Sequence, residues 1–305
     1  MMNFIQTSYN FGINASVYEG FGECWILLAI MFGIALLMSS IGFKKFVYFL
    51  SVGYGLAVLG IGIALIVFAA GKFDFVKVSL VPAKLDFVNY ILAAILILYG
   101  MRLAGFLLYR EIKSASYRKT LENVSGKEEK KMPVFVKATI WLCVGVLYVM
   151  QTYPVIYRVG TGYSCDGANM IAPLIGAVIA LIGLTIETLA DLQKNAAKKV
   201  NPHSFVSTGL YSYVRCPNYM GEIIFWTGIL ISGVDIYRGD WAAWIIAILG
   251  YLLIVYVMVS GAKRLELRQK KNYGSDPKYQ EYIKKTPILM HIIPVKSLEN
   301  WNWVK

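Results

Sequence analysis

Seven apolar runs decide what this chain can fold into. They are about Trp25–Gly42, Phe46–Ala70, Val88–Tyr109, Val134–Tyr153, Ile171–Ala190, Ile223–Val234 with the turn before it, and Trp241–Gly261. Each approaches the roughly 20 residues that cross a bilayer as a helix. In hydrocarbon the backbone must bond to itself, and a run of this length does so as an α-helix. The sixth run is long enough only if its helix starts at Pro217, a residue well suited to a first helical turn. The expectation is an all-α integral membrane protein, a seven-transmembrane helix bundle. A composition 57% hydrophobic and only 16% charged agrees with it. The first residues are polar and aromatic, so no cleavable signal peptide is expected. Residues 1–21 should form an external cap.

The net charge of +12 could suit nucleic acid, but its placement argues for a membrane. Lys44 and Lys45 follow the first run. Lys113, Arg118, Lys119, Lys127, Lys130 and Lys131 follow the third, and Lys194, Lys198, Lys199 and Arg215 the fifth. The tail after Gly261 is the most basic stretch. Alternate connections thus carry the cations, as cytoplasmic loops do. The other loops balance: Lys72, Lys77 and Lys84 against Asp74 and Asp86, Arg158 against Asp166, and Arg238 between Asp235 and Asp240. The N-terminus is then outside and the C-terminus cytoplasmic. Spans one and two should form a tight hairpin at Gly42–Lys45, and residues 154–167 an external loop. Cys24, Cys143, Cys165 and Cys216 lack metal-ligand spacing, and His203 and His291 are the only histidines. No metal site and no nucleic-acid partner are expected.

Polar residues inside a membrane span need partners or a ligand. Four groups stand out. Tyr99, Arg102, Phe106 and Tyr109 share one face of the third span. Glu187 and Asp191 lie four apart at the end of the fifth, and Lys194 and Lys198 continue their stripe. Arg215 precedes Pro217, with Asn218 and Glu222 on one helix face and Gly221 and Gly228 beside them. Arg264 and Glu266 leave the seventh span, ahead of Tyr273, Tyr279 and Tyr282. The charge-derived topology puts all four at the inner leaflet. A polar cavity open to the cytosol and walled by apolar helices is expected, where an anionic cofactor meets a lipid-soluble substrate. A free helix N-terminus beside Asn218 suits phosphate.

The stretches ETLADLQK, GLYSYVRCPNYMGE, SGAKRLE and YQEYIKKTP, with YGMR in the third span, resemble the steroid 5-alpha-reductase family, most closely its uncharacterised bacterial branch. They cover about the last 120 residues, and the N-terminal half agrees only in span count. The same ending recurs in isoprenylcysteine carboxyl methyltransferases, phospholipid methyltransferases and sterol C14 reductases. Those methyltransferases usually carry His where this chain has Cys216, which tilts the resemblance toward a reductase. It implies a membrane reductase that uses NADPH to saturate a carbon–carbon double bond conjugated to a ketone, in a steroid-like or other lipophilic substrate. By position, Tyr99 would polarise the carbonyl. Arg102, Asp191, Tyr213, Asn218 and Glu222 would line the cofactor, with Glu187 and Glu266 in the same inner-face set. Arg215, Lys198 and Arg264 would lie near phosphates. Residues 1–133 would form the substrate-side membrane helices, and residues 134–305 the reductase/methyltransferase-like domain. A multi-pass place in a bacterial inner membrane follows from the resemblance.

One position departs from the pattern. Steroid reductases pair the tyrosine with a glutamate from the second span, and this chain has no acid there. Either Tyr99 holds the carbonyl alone, or the substrate is not a 3-oxo-4-ene steroid. The other readings are a methyltransferase that uses S-adenosylmethionine on a lipid or prenylated acceptor, and a non-enzymatic lipid sensor.

Overall fold

Long runs of Leu, Ile, Val, Ala and aromatic residues with few charges fold as helices in a computed structural model, which describes residues 15–70, 87–114, 118, 121, 132–161, 170–237, 239–289 and 295–303. The helices are α1 Ala15–Ser39, α2 Val52–Ala69, α3 Phe87–Lys113, α4 Val134–Thr161, α5 Ile171–Val200, α6 Pro217–Ile231, α7 Trp241–Tyr273 and α8 Pro277–Lys285. No named strand occurs among the described residues, and Leu289 and Val295 form one isolated antiparallel bridge. Among the described residues six helices, α1 to α5 and α7, are long and apolar enough to cross a membrane. The described residues are therefore all-helical apart from that bridge, with the composition of a multi-pass membrane protein. Helix α6 does start at Pro217, but its 15 residues make only about 22 Å of helix against an apolar layer of about 30 Å.

Three expected boundaries move. The connection after α1 is not a tight hairpin at Gly42–Lys45. Two 3-10 turns, Ser40–Phe43 and Phe46–Leu50, come before α2 starts at Val52. Side-chain bonds favour this longer path: the Tyr48 hydroxyl donates to Glu111 at 2.6 Å, and Lys45 pairs with the same carboxylate. That pairing holds the Lys45 ammonium above its ordinary pKa.

The second shift is at Pro154, expected to open an external loop. Helix α4 instead runs through Pro154 to Thr161. An internal proline costs a helix about 3 kcal/mol or more. Packing outweighs it: Tyr153 and Tyr157 are buried against Tyr237, Ala243 and Ala247. Third, α5 and α7 continue well past their apolar runs, to Val200 and Tyr273. At about 1.5 Å per residue their polar last turns reach beyond the hydrocarbon layer.

Arg158, expected in a loop opposite Asp166, is fully buried in α4. It donates to Asp235 Oδ1 at 2.7 Å, to the Ser232 carbonyl at 2.9 Å and to Asn89 Oδ1 at 3.3 Å. Asp166 lies outside the described residues, as do Lys72, Asp74, Lys77, Lys84, Asp86, Arg238, Cys165, His291, most of the 114–131 connector and residues 162–167. So do residues 1–14 of the expected cap, and the side chains up to Cys24.

The chain divides into two compact units. The first comprises Met1–Ala177 with Ile229–Gly250, and the second Val178–Gly228 with Tyr251–Lys305. In the first, α2 and α3 cross with backbones nearly touching. A Cβ on Gly100 would lie 2.5 Å from the Leu59 nitrogen, and one on Gly55 2.7 Å from the Ala104 nitrogen. Small residues at such crossings let membrane helices approach. In the second, Gly183 and Gly221 do the same for α5 and α6. A Cβ on Gly183 would lie 2.3 Å from the Phe225 nitrogen, and one on Gly221 2.6 Å from the Glu187 nitrogen.

Candidate functional site

The close α2–α3 crossing brings two phenols together. Tyr99 is fully buried and donates to the Tyr54 hydroxyl at 2.9 Å. Tyr54 stacks on Tyr148 of α4, with ring centroids 5.2 Å apart and planes 17° apart. The Tyr148 hydroxyl donates to the Phe49 carbonyl. The second helix thus does offer Tyr99 a partner, but a phenol and not a carboxylate. A search for acids in that span passes over Tyr54. The signal that could have found it is a tyrosine between two glycines in an otherwise aliphatic run. Farther along α3, Arg102 and Arg110 flank the Phe106 ring, 5.7 and 5.5 Å from its centroid. Stacking a guanidinium on an aromatic face is worth roughly 0.5–2 kcal/mol.

The other expected site residues belong to the second unit. Glu187 and Glu222 are buried, on α5 and α6 where the helices meet at Gly221. Asp191 is partly exposed and lies within electrostatic reach of the buried Tyr211 hydroxyl. Burial raises that phenol well above its ordinary pKa, and the Asp191 carboxylate adds to the rise. Tyr219 lies against Gly261 of α7, and its hydroxyl is within reach of Glu222, Arg264 and Arg268. Lys194 completes this set beside Cys216. The structure therefore gathers Asp191, Glu222 and Arg264 around Tyr211 and Tyr219. Sequence reasoning passed over both tyrosines.

Tyr213, the expected cofactor residue of the GLYSY stretch, is 65% exposed, whereas Tyr211 is 3% exposed. The turn at Gly209–Ser212 sets this alternation. Gly209 has φ +62°, and the Gln193 side chain accepts from Leu210 N at 2.9 Å. A side chain at Gly209 would be strained and would meet Gln193 Oε1 at 2.5 Å.

Arg215 and Glu266 form a buried ion pair at 2.9 Å. Arg215 also donates to the Lys296 carbonyl, and Glu266 Oε2 accepts from Leu298 N at 2.8 Å. The backbone of Arg215 and Cys216 bonds the Pro287 and Ile288 carbonyls. Together these bonds fasten the C-terminal segment to the start of α6. Lys198 donates to the Pro202 and Ser204 carbonyls and to the Tyr273 hydroxyl. Tyr273, Tyr279 and Tyr282 pack around Phe205, with centroids 5.3 to 5.9 Å from its ring.

Asn218 Oδ1 and Arg215 Nε, both near the start of α6, are buried and have no hydrogen-bond partner among the described residues. One is an acceptor and the other a cationic donor. Asn218 Oδ1 can accept from a hydroxyl and Arg215 Nε can donate to a negatively charged group, while Lys194 acts on the neighbouring Cys216 and Arg264 and Arg268 act on Tyr219. No group of three or more His, Cys, Asp or Glu side chains suited to a metal occurs among the described residues.

Residues 58–286 match a family described as Protein of unknown function (DUF1295). The chain belongs to this family. The matched segment includes Tyr99, Glu187, Asp191, Arg215, Asn218, Glu222 and Glu266. No curated protein and no solved structure matches the chain.

Cys216 immediately precedes Pro217 at the start of α6. It is buried, and burial pushes its thiol pKa up to about 12. Thiolate is the reactive form, so the native side chain should be inert. Iodoacetamide at pH 8 is expected to leave Cys216 unlabelled in the folded protein and to label it after denaturation, read by peptide mass spectrometry. Full labelling of the native protein would contradict its burial.

Proposed function

We propose that this protein is an NADPH-dependent membrane reductase that saturates a carbon–carbon double bond conjugated to a ketone in a lipophilic, steroid-like substrate. The observation that carries the reading is the buried Tyr99–Tyr54 pair. The tyrosine that the resemblance marks as the carbonyl donor is held by a hydroxyl from the helix where steroid reductases place a glutamate. A phenol rotates its O–H freely about the C–O bond. When Tyr99 turns its proton toward a substrate carbonyl, Tyr54 can donate to the oxygen that Tyr99 leaves free. The hydrogen bond to the carbonyl then strengthens as negative charge grows on oxygen, which is what lowers the barrier. NADPH, when bound, supplies the hydride that enters carbon β to the ketone. Tyr99 stabilises the resulting enolate oxygen, and a proton at the α carbon completes the reduction.

Asn218, Glu222, Asp191 and Tyr211 would hold the polar part of the cofactor, and Lys194, Arg264 and Arg268 its phosphates. Arg215 would contribute through Nε. In the same reading α6 is the seventh crossing, the N-terminus is outside, the C-terminus is in the cytosol, and the compartment is a bacterial inner membrane.

Cofactor binding tests the proposal. Purified protein in detergent is expected to bind NADPH, seen as quenched tryptophan emission and enhanced nicotinamide emission. Asn218→Ala should weaken that binding by about tenfold if its orphaned oxygen accepts from the cofactor. Retention of S-adenosylmethionine and not NADPH would replace the reductase with a methyltransferase. Retention of neither would leave a non-enzymatic lipid-binding protein.

A further inference from the structure

Gln151 of α4 is 3% exposed, and neither end of its side-chain amide has a hydrogen-bond partner among the described residues. A buried amide without partners is costly in any protein interior, and more so within a membrane span. Such groups are rare enough that each requires a physical reason. The neighbours on α4 suggest one. Gln151 lies seven residues before Arg158 and three after Tyr148, so the three share one side of the helix. Arg158 is engaged by Asp235, Ser232 and Asn89. Tyr148 is engaged by Phe49 and stacks on Tyr54, the partner of Tyr99. Of these three polar side chains, only the middle one is unanswered. It sits about 4.5 Å along the helix axis from Tyr148.

We infer that Gln151 is a substrate-binding residue that reads a second oxygen function of the lipophilic substrate, apart from the ketone assigned to Tyr99. This rests on the reductase reading above. A primary amide both donates and accepts, so it recognises a hydroxyl or a ketone equally. The substrate class is therefore an enone with a further oxygen on its frame, and a pure hydrocarbon tail in its place would leave the amide unanswered.

The test uses the full-length protein in detergent, two probes and two variants. The probes are androst-4-ene-3,17-dione and androst-4-en-3-one, which differ only in the second ketone. The variants are Gln151→Met, which keeps the shape, and Gln151→Leu. Wild type should bind the dione about tenfold more tightly than the mono-ketone, the scale of one neutral hydrogen bond in a site that otherwise leaves a polar group unpaired. Both variants should lose that preference and keep the affinity for the mono-ketone. Without ligand, both should unfold about 2–4 °C higher than wild type, because an unpaired amide has been removed. A lower unfolding temperature in both would show that the amide supports the fold, and would overturn the proposal. Equal wild-type affinity for the two probes, or a preference that survives in the variants, would also overturn it while the reductase reading stood. Binding of neither probe to wild type would remove the enone reading, and this inference with it.

Discussion

Arg158→Ala is expected to destabilise the protein by about 3–5 kcal/mol, the cost of breaking a buried ion pair and stranding its partner. The side chain is fully buried, and its Asp235 partner is nearly so, with 7% of that side chain exposed. Removing the guanidinium leaves a carboxylate, the Ser232 carbonyl and the Asn89 amide without their donor, in surroundings where water does not replace it. Thermal unfolding in detergent measures the loss. The double variant Arg158→Met with Asp235→Leu separates charge from packing. It removes both ions and should recover most of the stability, because well-packed apolar pairs often match a buried ion pair. A double variant as unstable as the single one would show that the other bonds of Arg158, to Ser232 and Asn89, matter more than the ion pair.

The same residue shows where reasoning along the chain stops. Along the chain Asp166 is the acid nearest to Arg158 and balances it within one loop. The actual partner is 77 residues away. Sequence distance carries no information about which helix ends meet, so the pairing needed the fold. The helices themselves were legible, because each apolar run has to satisfy its backbone internally. Their ends were not. Hydropathy marks where hydrocarbon stops, whereas a helix continues wherever its next turn finds partners. Arg158 and the tyrosine cluster carry α4 through Pro154 in this way, and α5 keeps its polar stripe to Val200. The glycines of α6 were visible as a small-residue pattern. What they do, bringing Gly221 against the Glu187 backbone, required Gly183 on the facing helix. Among candidate site residues, Glu187, Asp191 and Glu222 are visible in the sequence as charges in or beside apolar runs, whereas Tyr54, Tyr211 and Tyr219 are not, since a tyrosine in an aromatic-rich chain gives no signal until its hydroxyl is seen buried beside a charge or another phenol.

Tyr99→Phe is the substitution expected to have the largest effect on activity. It removes one oxygen and keeps the ring. Loss of the hydrogen bond to Tyr54 should cost the fold only about 1 kcal/mol. Loss of the carbonyl donor should lower turnover of an enone by about 10²–10⁴-fold, the usual contribution of a positioned acid. NADPH affinity should stay within about twofold of wild type, because the side chain is assigned to the carbonyl and not to the cofactor; a neutral hydrogen bond lost there would show as a larger change. Tyr54→Phe makes the comparison sharper. It keeps the donor on Tyr99 but removes the hydroxyl that would support the Tyr99 oxygen as charge develops. A milder loss of about tenfold is expected, mainly in kcat, since a support made only in the transition state leaves substrate binding intact. Tyr99→Phe turning over at the wild-type rate, with NADPH still bound, would remove Tyr99 from the chemistry. If Tyr54→Phe were instead the more damaging change, Tyr54 would be the donor to the carbonyl and Tyr99 its support, with the direction of the observed hydrogen bond kept as it stands.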